Sequence, residues 1–238
     1  MGRWDAYRAL LTSARESGYT VMALHDWLAA PPDEPCLVLR HDVDQQPVAA
    51  LRMAAIEREL GVRATWYFRW RTAHPAVVRR IADGDGVVGL HYETLTRVVL
   101  ERGGSAADED LIEECRALLR REVAAFQSRF GPVRTICPHG DTRVPGVDNH
   151  VLLRGQDPRG FGVEFDGNEA LRGRRLGAWL TDRRGGREWK DDADPHALIS
   201  QGVTPLLAVV HPNNWTSRWY AAADRALSSV LPGVSRLP

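Results

Sequence analysis

At 238 residues the chain matches the length of one α/β barrel, roughly 200 to 250 residues, so a single domain over 1–238 is expected, with residues 1–30 as a helical lead-in. Lysine plus arginine equals aspartate plus glutamate at 31 each, so no net field draws the protein to nucleic acid or to a membrane, and a small-molecule or saccharide substrate is the expected partner. Cys36, Cys115 and Cys137, odd in number and in no CxxC pair, indicate neither a disulfide framework nor a zinc knuckle; with no apolar signal core or ~20-residue membrane run near the N-terminus, a cytoplasmic location is expected.

Along the chain, Trp4, Tyr7, Leu10, Leu11 and Ala14 recur at helical spacing and Gly18 closes that helix; a short β-prone piece and the turn Pro31-Pro32-Asp33 follow. Cys36 to Val43 reads as a strand, and Pro47 opens a helical turn that leads through Leu51 to Leu60 and ends at Gly61. Strand and helix then alternate: Val62 to Trp70 strand, Pro75 to Ala82 helix, Val87 to His91 strand, and a long helix from about Ala107 to Phe130 closed by Gly131. Further strands are expected at Val133 to Cys137, Gly162 to Phe165, Leu176 to Thr181 and Leu206 to Val210, with helices at Pro195 to Gln201 and Thr216 to Val230. Such βα alternation implies parallel strands with helices outside, as in a barrel or an open doubly wound sheet. Asp141 to Gly160 and Arg183 to Asp194 read as long loops, which in α/β folds carry substrate contacts more often than stability.

Chemistry concentrates where apolar runs meet polar residues. Leu37-Val38-Leu39-Arg40-His41-Asp42-Val43-Asp44 ends in two carboxylates two positions apart, hence on one face of a strand. At the C-terminal mouth of a parallel barrel one such carboxylate binds a metal while the other accepts a proton; a solvated strand end, with Asp44 capping the next helix, is the alternative. His91, His139 and His211 each follow a β-prone apolar run, which places all three at the same end as Asp42 and Asp44. His25, His74, His150 and His196 lack that context and read as surface histidines, while His41 points to the opposite strand face and reads as a packing residue. Arg40, Arg69 and Arg71 lie on or just after the first two main strands; Arg69 is the one expected to meet a carboxylate or phosphate of the substrate, and a structural ion pair is expected for the other two. Trp66, Trp70, Trp189 and Trp215 form either a sugar-stacking wall or part of the core.

In order, these motifs resemble the polysaccharide deacetylase superfamily with its NodB-homology domain, in the His-Asp-x-Asp branch. The resemblance runs from Cys36 to Trp215: Arg40-His41-Asp42-Val43-Asp44 is similar to the first motif, Ala64-Thr65-Trp66-Tyr67-Phe68 to the strand after it, Gly89-Leu90-His91-Tyr92-Glu93 to the metal-histidine motif, Pro138-His139-Gly140 to the third and His211-Pro212-x-x-Trp215 to the last. It implies a distorted seven-stranded (β/α) barrel whose catalytic mouth lies at the strand C-termini, and a metal-dependent hydrolase of an N-acyl C–N bond. By the same resemblance Asp42 is the general base, Asp44 and His91 are metal ligands and His211 is the general acid. The family's second metal histidine falls at Leu95, so His139 is the expected replacement and Glu93 the runner-up. One divalent ion is implied, zinc first, with cobalt, iron, manganese or nickel as alternatives. Ala178-Trp179-Leu180-Thr181-Asp182 with Arg187-Glu188-Trp189 resembles a further stretch of this branch, so Asp182 is expected to orient the acid histidine or a substrate group; Trp189, Trp215 and, from its strand end, Arg69 are the other expected substrate-side residues. Two other readings share the pattern: an amidohydrolase of a non-sugar metabolite with the same metal site, and a non-catalytic binding protein.

Overall fold

The computed structural model describes residues 2–183, 188–216 and 218–230, so Arg187 lies outside the described residues. Helix α1 (Arg3–Glu16) buries Tyr7, Leu10, Leu11 and Ala14, the stripe that its apolar spacing marks. There follow β1 (Thr20–Ala23), α2 (Leu24–Ala29), β2 (Cys36–Val43), α3 (Pro47–Leu60), β3 (Thr65–Phe68), α4 (Pro75–Ala82), β4 (Val87–Tyr92), α5 (Thr94–Glu101) and α6 (Glu109–Phe130). The second half holds β5 (Thr135–Pro138), β6 (Phe165–Asp166), β7 (Ala178–Thr181), α7 (Pro195–Ser200), β8 (Leu206–Val210) and α8 (Arg218–Val230). Local chemistry sets several boundaries. Proline occupies the first turn of α3, α4 and α7, where its missing N–H costs nothing, and the Asp108 side chain caps α6 by accepting from the Leu111 amide.

Two short helices, α2 and α5, were not expected, because six and eight residues carry too little periodicity to stand out. The expected strand over Val62 to Trp70 shrinks to Thr65–Phe68, as Trp70 enters a 3₁₀ turn, and the one at Gly162 to Phe165 shifts to Phe165–Asp166. Asp44 does not cap α3: Gln46 holds the N-cap position, in a left-handed conformation and with no side-chain bond.

Seven parallel strands in the order β6-β5-β4-β3-β2-β8-β7 form a curled sheet, a distorted (β/α)7 barrel left open between β6 and β7. β2 is the hub. Its Cys36–Leu39 half pairs with β1, its Arg40–Val43 half pairs with β3 on the same edge, and β8 takes the other edge. All eight residues of β2 are buried, as expected of a central parallel strand covered on both faces.

Alternation along the strands separates two cores. Leu37, Leu39, Trp66, Phe68, Leu90, Ile136, Leu206, Ala208 and Val210 face outward and pack under the helices, with Tyr7, Met53 and Phe126 among their partners. Val38, Tyr67, Cys137, Leu207 and Val209 face inward and fill the concave side. Tyr67 sits at the centre of that inner layer because β4 offers it a glycine: a Cβ on Gly89 would stand 2.7 Å from the Tyr67 ring and 2.5 Å from the Thr135 carbonyl. Among the described residues no helix is long and apolar enough to cross a membrane.

Candidate active site and metal centre

The inward parity continues upward from the apolar layer. Arg40 and Asp42 follow Val38 on β2, His91 alternates with the outward Leu90 on β4, and Arg69, His139 and His211 lie two positions after Tyr67, Cys137 and Val209. Because all these strands run parallel, their polar C-terminal residues meet at one rim, as in other α/β barrels.

At that rim His91 Nε2 lies 3.5 Å from Asp42 Oδ2 and 3.5 Å from Asp44 Oδ1, and His139 Nε2 lies 3.5 Å from the same Asp44 oxygen. His211 Nε2 approaches from β8, 4.0 Å from Asp42 and 3.9 Å from Asp44. Leu95 is not part of this group; it is buried in the outer core.

Asp44 Oδ1 is buried and has no hydrogen-bond partner, an arrangement that costs free energy unless something else satisfies the oxygen. His91 donates Nδ1–H to the Cys137 carbonyl at 3.0 Å, which leaves the Nε2 lone pair turned toward the carboxylates. A tetrahedral zinc with bonds of about 2.0–2.1 Å spaces its ligands about 3.4 Å apart, close to the 3.5 Å from Asp44 Oδ1 to each of the two imidazoles. The donor set of one free carboxylate oxygen and two imidazoles fits such an ion. Among the described residues the compact acid–imidazole cluster is Glu93, His139 and Asp141, but its carboxylates are already engaged: Glu93 pairs with Arg69, and Asp141 accepts Arg143 through both oxygens. Asp44 Oδ1, by contrast, has no such partner.

Charge states follow from the surroundings. Burial lowers the pKa of His91 despite the opposing pull of Asp42 and Asp44. Burial, reinforced by His91 and Arg69, pushes His139 down to about 3. Both imidazoles are therefore neutral and their lone pairs available near pH 7. Burial alone would raise Asp42, but the Arg40 guanidinium overrides it, with help from His91 and His211, and holds the carboxyl well below the usual range. Arg40 grips Asp42 through two bonds, Nε to Oδ1 at 2.8 Å and Nη2 to Oδ2 at 2.7 Å, from two positions back on the same strand face.

His211 behaves oppositely. Burial disfavours its charge, yet the hydrogen bond and charge of Asp182 outweigh that cost and raise it to about 9. Asp182, at the end of β7, accepts from three donors: His211 Nδ1 at 2.7 Å, the His211 amide at 3.0 Å and Trp215 Nε1 at 2.7 Å. Trp215 is itself fixed edge-on against Tyr7 of α1, with ring centroids 5.3 Å apart. Trp189 is joined to Asp182 by a backbone bridge and is also buried.

Several expectations need correction. Of the two readings of Trp66, Trp70, Trp189 and Trp215, the core is the one found, not the wall: all four are buried in the outer core, and Trp215 spends its N–H on Asp182. His25 and His74 are buried, not on the surface: His25 Nε2 lies 3.3 Å from Glu164, and His74 sits at the start of α4. His196 is exposed and His150 partly so. His41 faces outward, stacked on Trp66 at 3.8 Å with Nε2 2.6 Å from buried Glu57, which also accepts from Tyr7 at 2.5 Å.

Sequence reasoning missed Asn168, whose Oδ1 accepts from Arg40 Nη1 at 2.5 Å and whose amide nitrogen lies 3.1 Å from His150 Nε2. It follows a two-residue strand, and no local pattern marks it. Arg143 was missed as well, inside a loop rich in arginine and glycine.

No family model and no curated protein matches the sequence. Among solved structures the chain is similar to a family 4 carbohydrate esterase pseudoenzyme from Bacillus anthracis, at 15% identity over 84% of this chain and 61% of that one, TM-score 0.44. It is similar to a family 4 carbohydrate esterase from Streptomyces lividans in complex with acetate, at 18% identity over 81% and 88% of the two chains, TM-score 0.40. A family 4 carbohydrate esterase from Bacillus anthracis matches at 11% identity over 92% and 84%, TM-score 0.42. The chain spans 61% of the pseudoenzyme's length.

Proposed function

We propose that the protein is a metal-dependent hydrolase of an N-acyl amide bond, of the polysaccharide- or sugar-deacetylase type. The observation that carries this reading is Asp44 Oδ1, buried and unpartnered, with the Nε2 atoms of His91 and His139 each 3.5 Å away. Asp44, His91 and His139 are the residues that would hold a divalent cation, zinc first. Once bound there, the ion supplies Lewis-acid polarisation of the acyl carbonyl and makes water nucleophilic near neutral pH.

Asp42 is the base. Arg40 keeps it ionised and fixes its plane, and it takes the proton lost by water as the C–O bond forms. His211 is the acid: held protonated by Asp182, it delivers its Nε2 proton to the amide nitrogen as the C–N bond breaks, releasing a carboxylate and a free amine. Without that proton an amine is a poor leaving group. Asp182 and Trp215 act through His211, fixing its ring, and Trp189 holds the Asp182 backbone through a bridge. Arg69 faces the substrate. The three cysteines are free and buried, which suits a cytoplasmic enzyme.

The test is metal quantification on the purified protein beside Asp44→Ala, His91→Ala and His139→Ala, with acetate release from N-acetyl sugars compared with acid or ammonia release from small amides. About one ion per wild-type chain, lost in each variant, together with acetate release, is expected. Full metal in His139→Ala would remove that ligand. No stoichiometric metal in either native or metal-supplemented wild type would favour a non-catalytic binding protein.

A further inference from the structure

We propose that the substrate carries an oxyanion, a carboxylate or phosphate, and that Arg69, Arg71 and Arg143 take it at the rim of the mouth beside His139; the placement of that group on a substrate rests on the hydrolase reading above. Arg69 leaves the inner face of β3 two positions after Tyr67. It is 4% exposed, and although it pairs with Glu93, its Nε is buried with no partner. A buried guanidinium that leaves a donor unmet is unusual, since each missed bond carries the full desolvation cost.

Two more guanidiniums crowd the same place. Arg143 binds Asp141 and lies 3.6 Å from the Glu93 carboxylate that Arg69 also holds, so the two cations share one acid. Arg71 is exposed, reaches only the Asp44 carbonyl at 3.3 Å, and forms no ion pair among the described residues. Arg69 and Arg143 thus share Glu93 and Asp141, and Arg71 beside them has no acidic partner among the described residues. Like charges are gathered at a cost, which an anion bound among them reverses, and planar guanidiniums match the paired oxygens of carboxylate and phosphate.

Chelator-treated, metal-free protein is titrated calorimetrically with inorganic phosphate and, separately, with acetate, in wild type and in Arg71→Gln, Arg143→Gln and Arg129→Gln. Arg129, in the last turn of α6 and over the Phe130 ring, touches none of the rim groups named here and serves as the control. Saturable binding is expected in wild type and Arg129→Gln, weakened at least about tenfold in Arg71→Gln and in Arg143→Gln, with circular dichroism unchanged. The tighter of the two probes identifies the oxyanion. Failure of wild type to bind either probe, or equal binding by the rim variants and wild type, overturns the proposal. Neither outcome depends on turnover, so a protein that binds the anion but hydrolyses nothing sinks the hydrolase reading alone.

Discussion

Nδ1 of His211 lies 2.7 Å from Oδ1 of Asp182, and the same carboxylate also receives the His211 backbone amide and the Trp215 indole. Three donors converging on one acid leave the ring a single orientation, with Nε2 toward Asp42 and Asp44. The carboxylate therefore both aims the imidazole and keeps it charged.

Replacing Asp182 with Asn removes the charge that raises His211 to about 9. If His211 is the acid, wild-type turnover declines as pH rises through about 9, because the proton it must give is lost. In Asp182→Asn that decline moves to lower pH, and kcat falls by about 10²–10⁴-fold, the usual contribution of an acid catalyst. A pH–rate profile with an unmoved alkaline limb would rule out the assignment.

Arg40 and Asp42 form a buried pair, so deleting one member strands the other. Arg40→Met is expected to cost about 3–5 kcal/mol at pH 7. Asp42 titrates below its ordinary value in the folded state, so its stabilisation is complete above that value and is lost as pH falls toward the folded pKa. In the variant, burial raises Asp42 instead, so the deficit shrinks on acidification as the carboxyl protonates. Urea denaturation at pH 7 and pH 5 measures both; an equal deficit at the two values would show that Asp42 is not the stranded group.

Gly89→Ala tests the packing under the site. The added methyl meets the Tyr67 ring and the Thr135 carbonyl inside 3 Å, and neither yields easily, since the Tyr67 hydroxyl is tied to Thr135 Oγ1 at 2.7 Å. A loss of about 1–3 kcal/mol is expected from overpacking, read as a lower denaturant midpoint with unchanged slope. A midpoint equal to wild type would mean the inner layer is looser than drawn.

Leu95→His would place a histidine where the resembled family has one. Here Leu95 packs in the outer core at the start of α5, facing away from Asp44, so the imidazole is expected to add no metal and to destabilise by about 2–4 kcal/mol. Metal content and thermal denaturation check it together, and tighter metal binding in this variant would contradict the placement of α5.

What the sequence settled is local. Cys36–Val43, Pro75–Ala82 and Leu206–Val210 could be bounded because unbroken apolar runs, or a proline opening a helical pattern, carry their own limits. The polar residues at strand ends were legible for the same reason: Asp42, Asp44, His91, His139 and His211 each follow a β-prone stretch, and parallel strands carry such ends to one rim.

Only the tertiary structure decided which of them touch. β8 pairs with β2 across most of the chain, and that pairing, which no local pattern encodes, sets His211 beside Asp42. Burial was equally distant in origin. His25 and His74 looked like surface residues and the tryptophans like a possible wall, but segments far along the chain cover them, as Glu164 reaches His25 and Tyr7 seals Trp215. Backbone propensity is written within a few residues, whereas solvent exclusion and charge pairing depend on which remote surfaces the folded chain brings together.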